Sequence, residues 1–103
     1  MILALDIGNT NIVIGCMEQE TCRFVERVST NSFKTELEYV VDFKTLLELY
    51  QIRIEDITGC IVASVVPPLN NIVLSALHKL LHVTPLLVGP GVKTGLNILM
   101  DNP

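Results

Sequence analysis

The chain has 103 residues, of which 50% are hydrophobic, and it carries a formal net charge of −4. This length corresponds to one domain with its own hydrophobic core. Its seven basic residues are scattered, whereas neutralising a nucleic-acid backbone needs clustered lysine and arginine, so we exclude nucleic-acid binding. No apolar run reaches membrane-spanning length and no basic flank marks a targeting signal, so we expect a cytoplasmic protein without membrane association.

The first predicted element is a hairpin with a polar turn. Residues 2–5 and 12–14 are apolar runs typical of buried strands. Between them, Gly8 permits unusual backbone angles, Asn9 tolerates a positive φ and Thr10 offers a hydroxyl. Amide N–H groups and a side-chain donor can therefore converge on an anion in this turn. From this pattern alone, an ordinary Gly-Asn hairpin turn remains an alternative.

Asp6 favours the phosphate-binding interpretation. A carboxylate that closes an apolar strand is costly to bury without a partner, and functional groups are concentrated in loops at strand ends. The sequence therefore predicts that this turn faces a metal-bound nucleotide. Backbone N–H groups of the turn itself would also satisfy Asp6.

A third strand and an amphipathic helix follow in the chain. Alternation over residues 22–28 predicts the strand, with Phe24 and Cys22 on one face. Thr35 followed by Glu38 is a capping-box pattern that begins the helix. Its apolar face is predicted to contain Leu37, Val40, Phe43, Leu46, Leu47 and Tyr50. The polar face, which we interpret as solvated rather than catalytic, carries Glu36, Asp42, Lys44, Thr45 and Glu48.

The second half repeats the order of strand and helix. Residues 60–64 predict a buried strand, Pro67 and Pro68 begin a second helix, and residues 86–88 predict a fifth, short strand. The apolar stripe of the second helix is Leu69, Ile72, Val73, Ala76, Leu77 and Leu80. The whole order, β-β-β-α-β-α-β, predicts a single α/β domain with a mixed five-stranded sheet.

Histidine and cysteine side chains do not form a predicted metal site. His78 and His82 have a metal-ligand spacing, but no third ligand accompanies them, so we interpret them as partners of the negative helix end. Cys16, Cys22 and Cys60 lack the paired spacing of a zinc site, and we expect them to be reduced, partly buried thiols.

The loop of residues 89–95 is not a Walker A loop. Such a loop needs glycine directly before the lysine and a helix after it, whereas Val92 precedes Lys93, and Gly95 and Asn97 disfavour a helix. We interpret it as a structured loop whose glycines allow close backbone approach.

Three stretches of the chain resemble the type III pantothenate kinases, a branch of the actin and hexokinase superfamily. They are DIGNTNIVIG at residues 6–15, ASVVPPL at residues 63–69, and GPGVKTGLNI at residues 89–98 followed by DNP at residues 101–103. Their order and spacing match those of the family. The resemblance implies that residues 1–103 are the first actin-like domain, and that a second domain of the family lies outside this chain.

The family resemblance also implies a function, which is the ATP-dependent phosphorylation of pantothenate at the start of coenzyme A synthesis. The implied ATP-binding residues are Asp6, Ile7, Gly8, Asn9, Thr10, Asn11, Ile12 and Val13. The resemblance further implies Mg²⁺ at Asp6 through water, a monovalent cation (K⁺ or NH₄⁺) and a homodimer. The catalytic base is expected beyond Pro103, so we assign no catalytic residue here and expect the 103-residue chain alone to be inactive.

Two alternatives and one departure from the family remain at this point. The alternatives are another small-molecule kinase of the actin-like superfamily and a non-enzymatic nucleotide-binding or partner-binding module. The departure is Met100, which stands where family members often have tyrosine. We therefore assign no pantothenate-binding residue.

Overall fold

The computed structural model describes residues 1–89. The expectations for the loop after Gly89, for Met100 and for the DNP sequence lie outside the described residues. The described chain forms five strands, two α-helices and one 3-10 turn. The strands are β1 (Ile2–Ile7), β2 (Asn11–Glu18), β3 (Thr21–Ser29), β4 (Gly59–Ser64) and β5 (Leu86–Val88). The helices are α1 (Glu36–Leu49) and α2 (Pro67–Leu81), and the 3-10 turn, which the sequence analysis did not predict, is Ile54–Asp56.

The five strands form one mixed sheet, as the sequence predicts. Their spatial order is β3-β2-β1-β4-β5, in which β2 is antiparallel to both β1 and β3, and β4 is parallel to both β1 and β5. Each parallel pairing requires a crossover connection, which α1 and α2 supply. Because β1 and β4 run in the same direction, their carboxyl ends lie at the same edge of the sheet.

Both helices pack on one face of the sheet. Alternate residues of β1, namely Leu3, Leu5 and Ile7, belong to one buried cluster with the core side chains of both helices. The cluster confirms most of the predicted α2 stripe: Leu69, Val73, Ala76, Leu77 and Leu80 are buried in it, and Ile72 packs against it. Ala4 points to the opposite face, where it packs with Val13 and Ile61. Within residues 1–89, neither helix is long and apolar enough to cross a membrane.

Helix α1 begins as predicted but is rotated relative to the predicted apolar face. Both capping-box bonds are present, because the Glu38 N–H donates to Thr35 Oγ1 at 3.2 Å and the Thr35 N–H donates to Glu38 Oε1 at 3.0 Å. Leu37, however, is 67% exposed, whereas Tyr39 is fully buried. Tyr39 is suited to the core because its hydroxyl donates to the Asn31 carbonyl at 2.8 Å. The ring packs among apolar groups while its polar atom is satisfied.

Two residues of the predicted solvated face are half-buried and form ion pairs with residues outside α1. Asp42 Oδ2 lies 2.6 Å from Lys34 Nζ, and both side chains are partly buried. Glu36 Oε2 lies 2.8 Å from Lys79 Nζ on α2, so this carboxylate links the two helices. The remaining members of that face, Lys44, Thr45 and Glu48, are exposed as predicted.

The prediction for Cys22 is wrong. An irregularity in the β2–β3 pairing between Cys16 and Met17 leaves one extra residue in β3, which interrupts the alternation that would place Cys22 beside Phe24. Phe24 is buried and stacks on Tyr50, whereas Cys22 is exposed. Cys16 and Cys60 are free, buried thiols, and burial raises the pKa of both, to about 12 for Cys60.

Candidate functional site

The polar turn lies at the edge of the sheet where β1 and β4 end together. The Val65 N–H, directly after β4, donates to the Ile7 carbonyl at 3.0 Å. The buried Ser64 hydroxyl accepts from the Val66 N–H at 3.0 Å and so fixes the junction between β4 and α2. In open α/β sheets, ligands bind at the carboxyl ends of parallel strands. The fold therefore places the predicted phosphate-binding turn where such ligands bind.

The turn is closed by one backbone hydrogen bond and needs glycine for space. The Gly8 N–H donates to the Asn11 carbonyl at 2.9 Å. A Cβ atom at Gly8 would lie 3.1 Å from that same oxygen, which is a tight contact. The φ of Gly8 lies outside the left-handed region and that of Asn9 is not positive, so the turn does not use the left-handed conformation that these two residues permit.

The eight residues predicted to bind ATP divide into polar and core residues. Asn9, Thr10 and Asn11 are exposed, and Asp6 is half-buried. Ile7 and Ile12 are fully buried, so only their backbone groups face the turn, and Val13 is half-buried on β2. The accessible side chains thus supply one carboxylate, two carboxamides and one hydroxyl. The hydroxyl and the carboxamide N–H groups can donate to phosphate oxygens, whereas the carboxylate and carboxamide oxygens suit Mg²⁺ coordination.

Thr30, which the sequence analysis did not identify, holds the turn from the end of β3. Its Oγ1 donates to the Gly8 carbonyl at 2.7 Å, and its N–H donates to the Thr10 carbonyl at 2.9 Å. Thr30 follows β3, and 22 positions separate it from Gly8. No local sequence pattern indicates a contact over this distance.

A row of paired residues places two charges on the sheet face opposite the helices. Asp6 lies opposite Val13 on β2 and Ala63 on β4, and Val13 lies opposite Arg27 on β3. Directly paired residues point to the same face, so Asp6 and Arg27 share that face at roughly 10 Å, which is two strand spacings. Arg27 is exposed. The row therefore combines a carboxylate near the turn with a positive charge two strands away.

A cavity of about 400 Å³ lies beside the turn, between α2 and the ends of β4 and β5. Val65, which hydrogen-bonds to the end of β1, is part of its wall, and Asn70 and Val88 line it as well. Cavities of this size accept small organic molecules. The edge of the sheet thus offers a polar turn and a mostly apolar cavity side by side.

The oxygen-bearing side chains at the turn suit a metal site in which a bound ligand supplies part of the coordination, rather than a site formed by protein groups alone. Among residues 1–89, no three His, Cys, Asp or Glu side chains come together as a metal cluster. Asp6 beside exposed oxygen-bearing side chains suits Mg²⁺, because this ion commonly binds one or two carboxylates together with phosphate oxygens and water. Asp6 is the described residue that fits this role.

Comparisons with known proteins match the chain to one family. The family model described as type III pantothenate kinase matches residues 2–103. Type III pantothenate kinases from Halalkalibacterium halodurans and Geobacillus sp. strain WCH70 are each 44% identical over all 103 residues, which cover 41% and 40% of those proteins. The one from Geobacillus thermodenitrificans is 43% identical and is covered to 40%. The chain therefore spans about two fifths of the length of these relatives.

A solved structure supports the fold independently of the sequence. The ROK hexokinase from Thermus thermophilus superposes with a TM-score of 0.64 at 12% identity, over 85% of this chain and 34% of that one. At this identity the likeness concerns the fold alone, and it confirms the expected actin-like domain. The family model matches nearly the whole chain, residues 2–103, and this match shows that the chain belongs to the type III pantothenate kinase family.

Proposed function

We propose that this chain is the phosphate-binding first domain of an enzyme that transfers the γ-phosphoryl group of ATP to the primary hydroxyl of pantothenate. This reaction begins coenzyme A synthesis. The observation that carries the proposal is the turn from Gly8 to Asn11, held at the carboxyl edge of the sheet beside Asp6. Membership of the type III pantothenate kinase family supports the choice of pantothenate as the acceptor.

The turn contributes to catalysis by positioning the phosphates. Phosphoryl transfer depends mainly on alignment of the reacting groups and on stabilising charge. Backbone N–H groups of the turn and the Thr10 hydroxyl bind phosphate oxygens, and the Asn9 and Asn11 carboxamides lie exposed at the same turn. Asp6 holds Mg²⁺ through water, and the ion supplies neutralisation of phosphate charge when bound. We place the general base outside this chain.

The cavity beside the turn supports a second substrate close to the phosphates. Its wall includes Val65, which is hydrogen-bonded to Ile7 directly before the turn, and the mostly apolar wall suits the dimethyl-substituted carbon chain of pantothenate. The monovalent cation, the homodimer and the cytoplasmic location remain predictions from the family resemblance.

The experiment is a coupled assay of phosphopantothenate formation by the intact gene product that contains this chain. We expect ATP-dependent turnover in the wild type. Asp6→Asn and Thr10→Val should each lower kcat/KM for ATP by at least about tenfold, because the first removes the carboxylate charge that holds Mg²⁺ through water and the second removes a hydroxyl donor to the phosphates. Thr58→Val is the matched control, since Thr58 precedes β4 at the opposite edge of the sheet.

The choice of substrate discriminates the proposal from its alternatives. Phosphorylation of a sugar but not of pantothenate would support another kinase of the actin-like superfamily. Nucleotide binding without any phosphoryl transfer would support a binding module. Undiminished ATP affinity and turnover in an Asp6→Asn, Thr10→Val double variant would exclude the turn as the phosphate site.

A further inference from the structure

We propose that Thr30 is a positioning residue that orients the peptide groups of the phosphate-binding turn, so that the N–H groups of the turn face the nucleotide. The inference rests on the proposed function, because it concerns the same turn. Thr30 contacts both halves of the turn, through Oγ1 to the Gly8 carbonyl at 2.7 Å and through its N–H to the Thr10 carbonyl at 2.9 Å. These two hydrogen bonds join the end of β3 to the turn that follows β1.

Peptide geometry converts these bonds into an orientation of donors. In a trans peptide group, the carbonyl and the N–H point in opposite directions. Because the Gly8 carbonyl points towards Thr30, the N–H of Asn9 points away from it. The same holds for the Asn11 N–H, since the Thr10 carbonyl accepts from Thr30. Thr30 thereby gathers two carbonyl oxygens on its own side of the turn and leaves amide donors on the other side.

This orientation matters for binding an anion. Successive N–H groups that face one side of a turn form a concave site for phosphate, whereas a carbonyl oxygen facing the same side repels it. The Gly8 N–H is already occupied by the Asn11 carbonyl. No backbone carbonyl of residues 1–89 accepts a hydrogen bond from the N–H groups of Asn9 and Thr10. The Asn9 N–H, which remains for a ligand, therefore belongs to a peptide group that Thr30 orients, and the Thr10 N–H belongs to the next peptide group along the chain.

The position of Thr30 is itself fixed by the core. The buried Tyr39 hydroxyl donates to the carbonyl of the next residue, Asn31, at 2.8 Å and accepts from its N–H at 3.2 Å. Tyr39 is fully buried and stacks on Phe43 in α1. A continuous series of contacts thus leads from α1 through Asn31 and Thr30 to the turn.

The test compares Thr30→Val with Thr30→Ser in the intact gene product. Valine keeps the shape of threonine and the backbone hydrogen bond to Thr10 but removes the hydroxyl, whereas serine retains it. We expect Thr30→Val to raise the Kd and KM for ATP about fivefold, a factor appropriate to one lost hydrogen bond, and Thr30→Ser to stay within about twofold of wild type. The KM for pantothenate should not change.

Controls separate positioning from a general loss of structure. Thr21→Val changes an exposed threonine at the other end of β3 and should leave ATP binding unaltered. Thermal unfolding without nucleotide reports the stability of every variant. Should Thr30→Val fail to fold, Tyr39→Phe provides the second measurement, because it removes the hydroxyl that fixes Asn31 and should raise the ATP Kd about twofold to threefold.

An unchanged Kd for ATP in Thr30→Val would overturn the role of Thr30, and so would an equal rise of that Kd in Thr30→Val and Thr30→Ser. If Thr30→Val does not fold, an unchanged Kd for ATP in Tyr39→Phe would overturn it. Asp6→Asn, assayed in parallel, distinguishes this failure from failure of the proposed function. If Asp6→Asn weakens ATP binding and Thr30→Val does not, only the inference about Thr30 is lost.

Discussion

Replacing Gly8 with alanine separates the stability of the turn from its function. The added Cβ would lie 3.1 Å from the Asn11 carbonyl oxygen, so that oxygen must move by a few tenths of an ångström. The move strains the Gly8–Asn11 hydrogen bond that closes the turn. Because the φ of Gly8 lies outside the left-handed region, alanine carries no further backbone penalty there.

The expected magnitudes differ for stability and for binding. Alanine lowers the conformational entropy of the unfolded chain, which stabilises the fold by about 0.4 to 1 kcal/mol and offsets much of the steric cost. We therefore expect the free energy of unfolding to change by less than about 1 kcal/mol. The ATP Kd should rise about tenfold, because phosphate contacts from backbone N–H groups are charge-assisted and sensitive to small displacements.

The assay combines urea denaturation with calorimetric titration of ATP into the intact gene product. Gly59→Ala is the matched control, because its Cβ would meet the end of the flexible Ile2 side chain at 2.9 Å, at the sheet edge far from the turn. That variant should bind ATP like the wild type. An unchanged ATP Kd in Gly8→Ala, or a loss of more than about 3 kcal/mol of stability there, would refute the reasoning about the turn.

Two further predictions concern the thiols and the link between the helices. Exposed Cys22 should react with iodoacetamide in the native protein, whereas Cys60, whose pKa burial raises to about 12, should react only after unfolding. Mass spectrometry of partly labelled protein reports both sites. Early labelling of Cys60 would contradict its burial. Hydrogen bonds from Lys79 and, second, from Ser75 lower the pKa of Glu36. The contact therefore stabilises the fold at every pH above the ordinary glutamate pKa, and this stabilisation is lost as the pH falls through the lowered pKa. Glu36→Gln should therefore flatten the dependence of unfolding free energy on pH between about 5 and 3, as measured by urea denaturation, and an unaltered dependence would exclude this contribution.

The elements with local signals were predicted most completely. The capping box at Thr35 begins α1, and Pro67 begins α2, as the sequence indicates, because caps and proline act through neighbouring backbone groups. The strands flanking the polar turn were also found, since their apolar runs are short and uninterrupted. The 3-10 turn of residues Ile54–Asp56 was missed because its pattern is too short to show a helical period.

The errors occurred where packing or pairing overrides the local pattern. Periodicity placed Leu37 on the apolar face of α1, but the hydrogen bonds between Tyr39 and Asn31 turn the neighbouring face towards the core. Alternation placed Cys22 beside Phe24, but an extra residue in β3 interrupts it. The sequence suggests glycine at position 8 for its backbone angles, whereas the structure shows that glycine avoids a tight contact with the Asn11 carbonyl oxygen.

The sequence by itself determined the order of elements, the mixed α/β class and the polar turn beside Asp6, because each depends on residues that are neighbours in the chain. Only the tertiary structure decided that Thr30 holds the turn, that Val65 joins it to β4 and that a cavity lies beside it. The hydrogen bonds of Thr30 and Val65 connect residues 20 or more positions apart, and they form only when the strands pair in one register and the helices pack on one face. Local sequence preference carries no information about such long-range contacts, whereas the packed core fixes them.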